Sequence, residues 1–247
     1  LNITSRTEEF SGLLEAFQLS VADSTFPMRF CPYPATASVF MGLAWSRTQE
    51  TVAADAAWNS DDLAALIRAF FWRNALTGRY DQGFLTKVGS DIADLREVLR
   101  RRSNFESRAQ WLQASEEALT QLIGAPVPTR EDLIEWACDA SLIGGARQSA
   151  LRLILWTSTT TDVVTQARLP APGSSDVELH HLWPKKWISN NEVGELAAFL
   201  KSAKKDGKDV VNCTANLVPL SASSNKEWRA KNPAQVLANL AHGFETC

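Results

Sequence analysis

Two of the three histidines stand side by side, His180 and His181, in the run Val-Glu-Leu-His-His-Leu-Trp-Pro-Lys-Lys. Downstream come Asn216, in Thr-Ala-Asn-Leu-Val-Pro-Leu, and Asn225, in Ser-Ser-Asn-Lys. A strand ending in paired imidazoles, a loop carrying one asparagine and a helix opened by another are the parts of a one-metal site for phosphodiester hydrolysis. That reaction needs a group to take a proton from the attacking water, a positive charge to neutralise the phosphoryl oxygens, and help for the leaving oxygen. A neutral imidazole serves as the base near neutral pH, because its unperturbed pKa is about 6.5. A divalent cation supplies the charge. Mg²⁺ keeps several waters and so needs few protein ligands.

Adjacent residues on a strand point to opposite faces, so His180 and His181 take different roles unless the strand ends or twists there. One is placed to hold a metal and the other to face the water. The amide oxygen of Asn216 is suited to hold an imidazole in one tautomer, with Asn212 as a competitor for that role. Asn225 is suited to offer its amide oxygen to the metal, and a helix N-terminus nearby favours an anion. Each residue has an ordinary reading as well: paired strand histidines are often structural, Asn216 suits a turn and Asn225 suits a helix cap. The constellation of all three carries the inference.

Lys185, Lys186, Lys226, Arg229 and Lys231 flank the motif, and Lys201, Lys204, Lys205 and Lys208 lie between its halves. Lysine runs usually form a solvated face, but the first group falls where a phosphate backbone would pass. Such contacts position DNA without reading its sequence. Trp183 and Trp187 are assigned to the core, and the lone His242 to the surface or a helix cap. Arg100 to Arg102 close a helix, where cations favour the dipole.

The elements that must position these groups differ in texture along the chain. Capping residues followed by apolar helical spacing predict helices from Ser5, from Asn59, over 83–102, over 106–123, from Thr129 and over 147–156. Cys31-Pro-Tyr-Pro is read as a loop. The threonine run after Trp156 favours strand or loop, and Pro170-Ala-Pro-Gly-Ser-Ser is a loop by composition. Beyond it the pattern predicts a strand over 177–182 and a helix over 192–205. A strand and loop over 210–220 and a short helix over 221–231 follow, and Pro233 opens a last helix. The fold class is therefore mainly α: a helical domain over 1–165, then a small α+β domain over 166–247.

Composition sets the outer limits. The chain has 247 residues, 45% hydrophobic and 21% charged, as in ordinary soluble globular proteins. Nine tryptophans predict substantial aromatic packing. The formal net charge is -3, so attraction to phosphate must come from a local patch. The four cysteines, Cys31, Cys138, Cys213 and Cys247, form no Cys-x-x-Cys pair, which argues against a zinc ribbon and for a reducing cytoplasm. No apolar run is long enough for a bilayer. A start at Leu1 rather than Met fits a piece of a longer protein.

His180-His181-Leu-Trp-Pro-Lys, Asn216-Leu-Val-Pro-Leu and Asn225-Lys resemble the HNH (ββα-metal, His-Me finger) nucleases. In that family the residue before the base His is a metal ligand, often Asp, a central Asn orients the base, and a last His or Asn completes the metal site. The resemblance implies His180 and Asn225 as metal ligands, His181 as general base and Asn216 as the orienting residue. The implied metal is Mg²⁺, with Mn²⁺ as the alternative; His180 in place of Asp is a departure that removes one anionic ligand, and imidazole also suits Mn²⁺ or softer ions.

A narrower similarity is to the C-terminal nuclease of GmrSD-type restriction proteins. It rests on the motifs above together with Lys231-Asn-Pro-Ala-Gln-Val-Leu. Phe70-Phe-Trp-Arg-Asn-Ala-Leu-Thr-Gly-Arg-Tyr80 is similar to the helical region preceding that nuclease. Residues 1–69 match nothing in the family. The phosphorothioation-sensing nickase of the Ssp anti-phage system is close to the same group. What this resemblance implies is a bacterial, cytoplasmic, metal-dependent endonuclease that nicks double-stranded phage DNA. It would be the C-terminal effector of a larger restriction protein whose N-terminal NTPase domain senses modified DNA. The alternative, motivated by His180, is a catalytically inactive DNA-binding or partner-docking module.

Overall fold

The computed structural model describes residues 7–49, 58–142, 144–170 and 176–244. The Ser5 cap and most of the 170–175 loop lie outside them. Among the described residues the chain is mainly helical, with one two-stranded antiparallel sheet. No helix among them is long and apolar enough to cross a membrane.

The first compact unit, residues 1–128, contains α1 (Thr7–Ala22), α2 (Ala35–Gln49), α3 (Ser60–Thr77), α4 (Phe84–Arg100) and α5 (Arg108–Ile123). The cap expected at Asn59 forms. The Asn59 side chain accepts from the Asp62 N–H while the Asp62 carboxylate accepts from the Asn59 N–H, a reciprocal box that satisfies two orphan donors of α3. The helix ends at Gly78, whose φ of 75° is a conformation that favours glycine. Ser107 and Gln110 repeat the box for α5. Phe17 meets Phe40 and Phe71 in tilted and edge-on contacts, tying α1, α2 and α3 together.

The stretch from Phe70 to Tyr80 is devoted to this packing. Phe70, Phe71, Asn74, Ala75 and Tyr80 are all buried. The Arg79 guanidinium grips the buried Asp91 carboxylate through Nη2 at 2.5 Å and Nε at 3.3 Å, and donates to the Leu122 carbonyl at 2.6 Å. Tyr80 donates to the same carboxylate at 2.6 Å. Burial, and then the Asp91 carboxylate, push its phenol far above the ordinary value. Arg73 binds Glu116 and Thr120 on α5, each at 2.7 Å. Both arginines are thus internal braces rather than DNA contacts. Arg101 pairs with Glu97 at 2.9 Å, and Arg102 lies 3.8 Å from Asp62. α4 itself stops at Arg100, and residues 101–104 continue as a 3₁₀ turn.

The second unit, residues 129–247, contains α6 (Arg130–Cys138), α7 (Gly145–Ser158), β1 (Val177–His181), α8 (Lys185–Asn190), α9 (Gly194–Lys205), β2 (Leu217–Ser221), α10 (Ala222–Trp228) and α11 (Pro233–Phe244). The division therefore falls at 128/129, not at the 165/166 boundary expected from composition. The physical reason is where α6 and α7 find their partners. Asp139, at the end of α6, accepts from the Asp209 N–H at 2.8 Å, and Ala140 donates to the Asp209 carbonyl at 3.0 Å. α7 packs on β2. The short strands could not bury their apolar faces without these helices. The His242 side chain lies outside the described residues.

Val177 pairs with Ser221 and His181 with Leu217, so β1 and β2 form a five-residue ladder that runs directly into α10. Val218, Leu220 and Trp228 make the buried centre, joined by Val163, Val164, Leu182 and Val236.

Asp162 fastens the strand–helix junction. One carboxylate oxygen accepts from the N–H groups of Val164 and Thr165 at 2.8 and 3.3 Å, and the other accepts from the Ser221 N–H at 2.9 Å and hydroxyl at 2.7 Å. Burial would raise its pKa, but these donors outweigh burial and hold the carboxyl below its ordinary value. In Asp162→Asn the amide NH₂ must face a backbone N–H whichever way it turns. The expected cost is about 2 kcal/mol at neutral pH. Because the folded pKa is depressed, the charge stabilises above the unfolded value of about 3.9 and loses that contribution as pH falls through the folded value. Thermal unfolding should show the gap between wild type and variant shrinking between pH 7 and pH 3. A gap independent of pH would contradict this.

Candidate active site

β1 and β2 present two faces, and the paired histidines divide between them. Glu178 and His180 lie on one face, opposite Leu220 and Val218, while His181 lies on the other, opposite Leu217. On the first face α10 folds back over the ladder. The His180 ring sits against the indole of Trp228, with centroids 5.3 Å apart. Asn225 lies in the first turn of α10, whose N-cap is Ser221 rather than Asn225 itself. Its amide nitrogen donates to the Glu178 carboxylate, and its side chain also meets the His180 imidazole. Burial lowers the His180 pKa, while Asn225 and the charge of Glu178 push it back up. The structure thus brings His180 and Asn225 together, and adds Glu178, which sequence reasoning missed. The available signal was its place two residues before His180, on the same strand face.

This donor set fits a divalent cation. The His180 Nε2 is sealed from solvent without a hydrogen-bond partner, a costly condition that a ligand would relieve. An imidazole nitrogen and an amide oxygen side by side are suitable donors. Among the described residues no three His, Cys, Asp or Glu side chains gather as a metal cluster; an asparagine-containing set is of a different make-up.

His181 is half-buried at the very end of β1. Burial is the largest influence lowering its pKa, followed by electrostatic repulsion from Lys185, from His180 when protonated, and from Arg152. A hydrogen bond with the Asn212 side chain works against that shift. Asn212 is itself anchored: its amide nitrogen donates to both oxygens of Asp209, at 3.1 and 2.9 Å, and its N–H to Asp209 at 3.0 Å. Arg152, from α7, was an unremarked residue in the middle of an expected helix, and no spacing singled it out.

Asn216 departs from its expected role. Its amide oxygen accepts from the Trp183 N–H at 2.8 Å. Its nitrogen donates to the carbonyls of Val211 at 2.9 Å and Trp183 at 3.3 Å. Its own carbonyl accepts from the Leu182 N–H at 2.9 Å. The residue is buried and grips the backbone just after His181, not the imidazole. The side chain that meets His181 is Asn212, the competitor.

Of the flanking cations, Lys185, Lys186, Lys226, Arg229 and Lys231 are all exposed. Lys231 makes a loose pair with Glu227 at 3.7 Å, of little energetic consequence in solvent. Arg229 has φ 46°, a strained conformation for a residue with a side chain, at the turn that ends α10. Trp183 is 44% exposed, not a core residue, and its ring lies 5.2 Å from that of Trp187. It opens onto a groove of about 690 Å³, lined with apolar groups such as Leu182, Ile188, Leu196, Phe199 and Leu200. Neither His180, His181 nor Asn225 lines that groove, so its apolar walls are separate from the chemistry.

The arrangement therefore offers a half-buried imidazole beside two cations that push its pKa down, and a second imidazole grouped with an amide and a carboxylate on the opposite face of the same strand. No protein-family model, no curated protein and no solved structure matches the chain.

Proposed function

We propose that the chain is a metal-dependent DNA endonuclease of the HNH (ββα-metal) kind, cutting one strand at a time. The observation that carries this reading is the hairpin running into α10, with His180 and Asn225 in contact while the adjacent His181 stands at the strand end beside Arg152 and Lys185.

His180 and Asn225 would hold a divalent cation, Mg²⁺ or Mn²⁺, which would supply positive charge to offset the negative charge developing on the phosphoryl group. His181 takes the proton from the attacking water. Its neutral form is favoured near pH 7 by burial and by the neighbouring positive charges. Asn212, anchored by Asp209, holds the ring in one orientation. Asn216 fixes the end of β1 through the backbone, so it is a positioning residue. Arg152 and Lys185 attract the scissile phosphate, and the exposed Lys186, Lys226, Arg229 and Lys231 lie along the flanking DNA backbone. One such site cuts one strand, so the product is a nick.

The resemblance to GmrSD-type restriction proteins extends the proposal to context: a bacterial anti-phage effector acting on foreign double-stranded DNA, joined to an N-terminal NTPase sensor domain. A substrate panel tests the reading. Supercoiled plasmid, single-stranded RNA and mononucleotides are incubated with the chain and Mg²⁺ or Mn²⁺. Relaxation of the plasmid is the expected result. Hydrolysis of RNA or nucleotides alone would overturn the DNA assignment. Salt-sensitive DNA binding without cleavage would favour an inactive binding module.

A further inference from the structure

The geometry points to Glu178 as the anionic ligand of the cation site, completing a Glu178–His180–Asn225 set on one face of the hairpin and its helix. This inference rests on the nuclease reading. Glu178 and His180 are two residues apart on β1 and so project from the same face. α10 brings Asn225 over that face, and the carboxamide reaches both neighbours: its nitrogen donates to Glu178 and the side chain meets His180. With the amide nitrogen turned to the carboxylate, the amide oxygen is the atom left for other partners. Glu178, His180 and Asn225 thereby form one contiguous group of donor-bearing side chains on this face. Glu178 is itself solvent-exposed at the edge of the face that α10 covers, so a hydrated ion can approach it and keep its remaining waters.

His180 and Asn225 are neutral ligands, and a site made of neutral donors alone holds a divalent cation weakly. One carboxylate supplies the negative charge that an aspartate at position 180 would otherwise provide. It also biases the site toward hard ions such as Mg²⁺ and Mn²⁺ over softer ones.

The rival explanation is that Glu178 only clips α10 to β1 through Asn225. Glu178→Gln separates the two, since the glutamine oxygen still accepts from Asn225 while the charge is gone. Mn²⁺ is titrated into the full chain by calorimetry, with Mn²⁺ electron paramagnetic resonance as a second measure of free ion. The expected result is one site in the wild type and affinity weaker by about tenfold or more in Glu178→Gln, with an unchanged unfolding temperature. Glu178→Asp, which restores the charge on a shorter arm, should recover part of the loss. Equal Mn²⁺ affinity in wild type and Glu178→Gln overturns the assignment and leaves the nuclease reading standing. A wild type that binds no Mn²⁺ at all overturns both.

Discussion

Replacing His181 with alanine is expected to slow plasmid nicking by roughly 10²–10⁴-fold, the usual contribution of a positioned general base. The fold should survive, because His181 is half-buried at the end of β1 and holds no part of the buried centre formed by Val218, Leu220 and Trp228. DNA affinity should change little, since the exposed cations around the site remain. Single-turnover nicking, binding and thermal unfolding measured on the same preparations separate these effects. The variant should lose rate while keeping affinity and unfolding temperature. A variant that nicks at the wild-type rate would remove His181 from the chemistry.

Asn216→Ala is expected to act by a different route, through stability. The substitution deletes three hydrogen bonds to the backbone at Trp183 and Val211 in a buried place. It leaves one N–H and two carbonyls without partners, at an expected cost of about 3 kcal/mol to the second unit. The strand end carrying His181 would loosen, and nicking would fall with it. Asn212→Ala is the informative contrast. Its contacts are with Asp209 and the His181 ring, so it should reduce nicking by about tenfold with little change in unfolding temperature. If instead Asn216→Ala leaves unfolding unchanged while Asn212→Ala leaves nicking unchanged, Asn216 orients the imidazole and the assignment of the two residues is reversed.

The local elements were largely readable from the chain, because they depend on neighbours in sequence. Asn59, Ser107 and Thr129 each sit three residues before the partner that completes a capping box, and each box forms. The strand bearing the histidines and the helix Gly194–Lys205 fall close to their expected positions, while the short helix Lys185–Asn190 between them was not expected. What sequence periodicity does not encode is which distant backbone a side chain meets. Asn212 and Asn216 stand four residues apart with the same amide, and only the path of residues 209–216 decides that one meets His181 and the other Trp183. Arg152 reaches the site because α7 packs on β2, a tertiary fact with no local trace. The same packing moved the unit boundary to Pro128/Thr129, since the composition change after Trp156 marks a change in texture rather than a change in partners. Glu178 needed both the strand period and the return of α10 to be noticed.

In the proposed site His180 and Asn225 hold a cation beside a water-activating His181. The most direct test is conversion of supercoiled plasmid to open circles by the wild-type chain in Mg²⁺, after EDTA, and after Mn²⁺ is restored in excess. The account predicts open circles accumulating before any linear DNA, none in EDTA, and recovery with Mn²⁺. Nicking that continues undiminished in EDTA would contradict it.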